Sequence, residues 1–136
     1  MAKFICNKLA RDNTIEGMAN DAIRTTYKQL KHKELLEGLR KKLLEESLEV
    51  AEATERMHVV NELADVFEVI DALRDMYCIT NAEVSAAKET IYRKRGGFKK
   101  GIFLETIEMS ESNPYVKHFR ASPNRYLEVR SKRRAS

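Results

Sequence analysis

A chain of 136 residues has room for one modest core, which argues against a second independent one and leads us to expect an oligomer that buries further surface. Apolar residues at 43% and charged residues at 34% fit a soluble, helix-rich globular protein better than a disordered or membrane one, and no apolar run approaches membrane-spanning length. The net charge of +4 is uneven. The segment from Lys117 onward (Lys117, Arg120, Arg125, Arg130, Lys132, Arg133 and Arg134 against Glu128) carries +6, leaving −2 on residues 1–116.

Residues 1–30 are mixed, interrupted by Gly17, and predict loops with one short helix. The Met1–Lys8 stretch is too short in apolar residues for a secretory signal. From about Lys33 to Glu55 the chain turns to Leu, Glu, Lys and Arg, and leucines at 35, 36, 39, 43 and 44 predict a helix that Gly38 weakens. A second helix is expected from about Val59 to Tyr77, with Val59, Leu63, Val66, Phe67, Ile70, Leu73 and Tyr77 as its apolar face. Thr80 and Glu83 form a capping box for a third helix that ends before Gly96-Gly97. Pro114, Pro123 and their Ser and Asn neighbours predict a short helix or turn and then an extended basic tail. The expected architecture is all-α, a small helical bundle over residues 1–116 completed by dimerisation, with residues 117–136 as the tail. Cys6 and Cys78 are too far apart for a disulfide framework or zinc spacing, which points to a reducing cytoplasm. Cys78 is expected in the core, and His32, His58 and His118 in surface or structural positions.

Glu46 and Glu49 lie three residues apart on the first long helix, and Glu62 and Asp65 on the second, so each pair projects from one side of its helix. Such pairs usually mark a solvated face. Here, at about 100° per residue, Glu46 falls between Leu35 and Leu39, and Glu62 between Val69 and Leu73. Glu68, Asp71 and Asp75 occupy the opposite face. Carboxylates on an apolar arc cost several kcal/mol unless paired or metal-bound. An all-oxygen set without His or Cys suits Mg²⁺, with Mn²⁺ as the alternative, and this points to phosphate chemistry. Lys88 and the run Arg93-Lys94-Arg95-Gly96-Gly97-Phe98-Lys99 read either as a basic helix end closed by a glycine cap or as a phosphate clamp.

Glu45-Glu46-x-x-Glu49, twelve residues, then Glu62-x-x-Asp65 resembles the signature of the all-α nucleotide pyrophosphohydrolases, the MazG-like and phosphoribosyl-ATP pyrophosphohydrolase superfamily. Lys42-Leu-Leu-Glu-Glu, Asn61-Glu-Leu-Ala-Asp-Val-Phe-Glu and Lys94-Arg-Gly-Gly-Phe-Lys-Lys are similar to its small single-domain branch, over roughly Lys8–Glu105. The resemblance implies hydrolysis of the α–β phosphoanhydride of a nucleoside triphosphate, with Mg²⁺ on Glu46, Glu49, Glu62 and Asp65. It implies Glu45 and Glu46 as catalytic carboxylates, with Glu45 next to the ligands or orienting water. Substrate phosphates would meet Lys8 and Arg11 of a Lys-Leu-x-Arg-Asp stretch, Lys42, Lys88, Lys94, Arg95 and Lys99. The sequence departs from the family after Ile15, where Glu16-Gly17 replaces a usual Pro. Family members generally assemble as dimers or larger homo-oligomers. Two other readings stand beside a general nucleotide hydrolase: a dedicated phosphoribosyl-ATP pyrophosphohydrolase of histidine biosynthesis, and a non-catalytic helical module whose basic tail touches nucleic acid. The inward carboxylates disfavour the last.

Overall fold

The computed structural model describes residues 1–129, and within them the chain consists of helices and loops without a strand. The helices are α1 (Thr14–Asn20), α2 (His32–Glu52), α3 (Arg56–Met76), α4 (Asn81–Arg95) and α5 (Tyr115–Arg120). This is the expected all-α class, three main helices flanked by short ones. The chain divides into two compact units, one ending at Arg95 and one beginning at Gly96. None of the described helices is long and apolar enough to cross a membrane.

The first unit is organised by α2 and α3. Ala53, Thr54 and Glu55 separate them, and Ala53 and Glu55 have extended backbone, so the chain reverses at once into an antiparallel hairpin. Its register is set by a seven-residue spacing. Leu39 and Val69 each stand fifteen residues from Thr54, while Glu46 and Glu62 each stand eight. Seven residues are about two helical turns, so the carboxylate layer occupies the same seam as the apolar layer, closer to the turn. Leu39 and Val69 are the buried apolar side chains among the described residues, and Glu46 is buried with them.

The packed face of α3 therefore runs through Val59, Glu62, Val66, Val69, Ile70 and Leu73. Leu63 and Phe67, expected on the apolar face, are exposed, as is Leu44 on α2. The face is centred on Val69, and Phe67 is about 200° from it around the helix.

Gly38 has a local reason within α2. A Cβ there would lie 3.2 Å from Leu30 Cδ1 and 3.9 Å from Leu9. The glycine lets the N-terminal segment pass close to the helix, at a cost of about 1 kcal/mol in helix propensity.

Two helices of this unit end in Schellman turns on non-glycine residues. After α1, the Ile23 amide donates to Met18 O (2.8 Å) and the Ala22 amide to Ala19 O (3.1 Å), with Ala22 at φ 58°. After α3, Ile79 donates to Arg74 O (2.9 Å) and Cys78 to Asp75 O (3.1 Å), with Cys78 at φ 54°. Cys78 is thus an exposed turn residue instead of a core one, because it lies beyond the last turn of the helix whose apolar face suggested burial. The capping box is present at α4. The Thr80 amide donates to Glu83 Oε2 (2.7 Å) and the Glu83 amide to Thr80 Oγ1 (3.1 Å).

In the second unit, Asn113 Oδ1 accepts the Tyr115 amide (2.9 Å) at the start of α5. Phe119 packs edge-on against Tyr126 with ring centroids 4.6 Å apart. Arg120 forks to both oxygens of Glu111 and also reaches Glu128. Lys117 and Arg120, read from the sequence as tail, are α5 residues, while Arg130, Lys132, Arg133 and Arg134 lie outside the described residues.

Candidate metal centre

The hairpin register brings one carboxylate oxygen from each of Glu46, Glu49 and Glu62 within 4.8 Å of the others. Glu46 and Glu49 follow one another along the seam of α2, and Glu62 meets them from α3. Each helix contributes its carboxylates from the packed face, which is what makes them converge.

Two of the carboxylates have a basic side chain against only one of their oxygens. Lys42 Nζ lies 2.9 Å from Glu46 Oε1, and their side chains are 16% and 8% exposed. His58 Nε2 lies 2.9 Å from Glu62 Oε1. The second oxygens, Glu46 Oε2 and Glu62 Oε2, are buried without a hydrogen-bond partner. A buried carboxylate oxygen with no donor carries the desolvation penalty that native proteins usually avoid. Oxygens around a Mg²⁺ ion at about 2.1 Å stand about 3.0 Å apart when adjacent and about 4.2 Å when opposite, so closing on one asks the glutamate side chains to draw closer together. The all-oxygen donor set and the two orphaned oxygens fit a hard divalent cation.

Glu45 is not one of the convergent group but shares Lys42 with Glu46. Its Oε1 accepts from Lys8 Nζ and Lys42 Nζ, both at 3.2 Å. Burial pushes the Glu45 carboxyl up, but the two lysine hydrogen bonds outweigh it and hold the group below its ordinary value. Burial likewise pulls the Lys42 ammonium down, and its bonds to Glu46 and Glu45 more than reverse this, so it is raised.

Asp65 does not join the three glutamates within 4.8 Å. Its Oδ1 accepts from Arg11 Nη2 at 2.6 Å, across 54 residues of chain. Lys8 and Arg11 therefore both reach the hairpin, each through a carboxylate beside the candidate centre. Lys88, Lys94 and Arg95 are exposed on α4, which packs against neither α2 nor α3, so the fold of one chain does not bring them to the carboxylates. Lys99 belongs to the second unit. His58, expected to be a surface or structural residue, is exposed and also contacts a candidate ligand. Its spacing of four from Glu62 on the helix is the signal that could have shown this. The same spacing links Lys42 to Glu46.

Comparison with known proteins finds no matching protein family, no curated relative and no similar solved structure.

Proposed function

We propose that the protein is a cytoplasmic, Mg²⁺-dependent nucleotide pyrophosphohydrolase that cleaves the α–β phosphoanhydride of a nucleoside triphosphate to monophosphate and pyrophosphate. The observation that carries this is the convergence of Glu46, Glu49 and Glu62 from two helices, together with the buried, unpartnered oxygens Glu46 Oε2 and Glu62 Oε2. The similarity of the Glu45–Asp65 stretch to the MazG-like signature supplies the reaction.

Glu46, Glu49 and Glu62 would hold the cation, with Asp65 beside them. Bound Mg²⁺ or Mn²⁺ supplies charge to polarise the phosphates and to lower the pKa of a coordinated water. Lys42 fixes the Glu46 rotamer and balances part of the negative charge. Glu45, kept ionised by two lysines, orients Lys8 and Lys42 and is a weaker base for it. Lys8 and Arg11 place exposed positive charge where a polyphosphate would arrive.

A homodimer belongs to this reading. Leu44 and Leu48 on α2, and Val60 and Phe67 on α3, are exposed on the faces turned away from the partner helix. Only Leu39 and Val69 are buried among the described apolar residues, too few for a stable isolated core. A second copy supplies the missing apolar surface. Light scattering should give twice the chain mass, and a monomer at micromolar concentration would remove this part.

The decisive assay incubates the protein with the common NTPs and dNTPs and with phosphoribosyl-ATP, in Mg²⁺, Mn²⁺ or EDTA, and follows pyrophosphate. Metal-dependent release that Glu46→Gln abolishes is the expected result. The substrate ranking then separates a general nucleotide hydrolase from a histidine-pathway enzyme. Absence of turnover together with absence of metal binding would leave a non-catalytic helical module.

A further inference from the structure

The bases around the carboxylates fall into two kinds. Lys42 and Glu46 are withdrawn from water and adjacent on one helix, so their pairing is fixed by the fold. Arg11 and Asp65 are 59% and 38% exposed, and the arginine comes from a non-helical segment. Exposed pairs of this kind are weak and readily exchanged. Leu9, between Lys8 and Arg11 in sequence, packs beside Gly38, so the segment is anchored at Leu9 while its two basic side chains remain in solvent. Asp65 is one turn from Glu62 on the same face of α3, yet it is the carboxylate missing from the convergent group.

We propose that Arg11 is an exchangeable counter-ion of Asp65. Paired, it withholds Asp65 from the cation held by the three glutamates; a polyphosphate, offering the guanidinium a better bidentate partner, draws it away and releases Asp65 to complete the ligand set. This rests on the metal-binding reading above. Its consequence is linkage: polyphosphate and metal strengthen each other's binding, and Arg11 carries part of that coupling.

The test is a calorimetric titration with Mn²⁺ alone on wild type, Arg11→Met, Asp65→Asn and the double variant, repeated with imidodiphosphate present. Because the pair is solvent-exposed, Arg11→Met should keep the wild-type circular dichroism spectrum, and Arg11→Gln serves if it does not. Arg11→Met should bind Mn²⁺ about 2- to 5-fold more tightly than wild type, the range that release of an exposed pair corresponds to. Most of that gain should vanish in the Asp65→Asn background, and imidodiphosphate should tighten Mn²⁺ binding more in wild type than in Arg11→Met. An unchanged or weaker affinity in Arg11→Met overturns the proposal. So does a gain of equal size in both backgrounds, which would be a field effect of the lost charge. If no variant binds Mn²⁺ at all, the metal-binding reading itself fails and takes this inference with it.

Discussion

Lys42 Nζ sits 2.9 Å from Glu46 Oε1, one turn away along α2, and leaves Oε2 of the same carboxylate buried and unpartnered. This half-satisfied arrangement makes Lys42 a stability residue first. Replacing it by Met removes the one positive charge that pairs with Glu46 among the described residues and should cost about 1–3 kcal/mol in urea unfolding at neutral pH. Lys42→Met combined with Glu46→Leu should recover most of the loss, since both ends of the pair are then apolar. A single variant with wild-type stability would show that Glu46 is better solvated than its surroundings indicate.

The three converging glutamates should make the metal-free protein less stable than it could be. Glu62→Gln relieves part of their repulsion and should raise stability in EDTA by about 0.5–2 kcal/mol, a stability cost characteristic of functional sites. Wild type should gain stability with Mg²⁺, about 2.7 kcal/mol when the ion is at a hundred times its Kd, and Glu62→Gln should gain little. Thermal unfolding with and without Mg²⁺ reads both effects. Equal responses of the two proteins to Mg²⁺ would place the ion elsewhere.

Much of the hairpin can be read from the chain because it repeats every seven residues. Leu39 and Glu46 share a face of α2, Val69 and Glu62 a face of α3, and a three-residue reversal matches the layers. The wheel thus finds Glu46 and Glu62 inside. It misjudges Leu63 and Phe67, because an apolar residue on an outward face looks the same as one on an inward face until the partner helix is in place. The Arg11–Asp65 pair spans 54 residues, and no helical period connects them. Cys78 illustrates a third limit: a sequence does not announce that a non-glycine residue takes a left-handed turn.

That turn leads to a prediction. Residues after α1 and α3 sit at φ 58° (Ala22) and 54° (Cys78), where a Cβ costs about 1–2 kcal/mol and glycine costs nothing. Glycine also frees the unfolded chain, which offsets part of the gain. Cys78→Gly and Ala22→Gly should each stabilise the protein by about 0.5–1 kcal/mol in thermal unfolding under reducing conditions. They should act additively, since the two turns cap separate helices. Destabilisation by Cys78→Gly would mean that the thiol makes a contact worth more than the strain.

The second unit should respond to acid through Glu111. Hydrogen bonds and charge from Arg120 hold its carboxyl below the usual glutamate range, and Arg120 is raised in return by Glu128 and Glu111. A carboxylate with a depressed folded pKa contributes stability that is present above its unfolded value, about 4.3, and is lost as pH falls through the folded value. The Phe119–Tyr126 edge contact should therefore survive at pH 5 and loosen below about pH 4. Ring-current shifts of these two side chains in NMR spectra would follow it. Arg120→Gln should bring the Glu111 titration back towards 4.3 and loosen the aromatic pair already at neutral pH, because Arg120 is what ties residue 111 to residue 128 across α5. High salt should shrink the wild-type shift, as all three side chains are exposed to screening ions. A Glu111 titration unaffected by Arg120→Gln would show that the fork does not persist in solution.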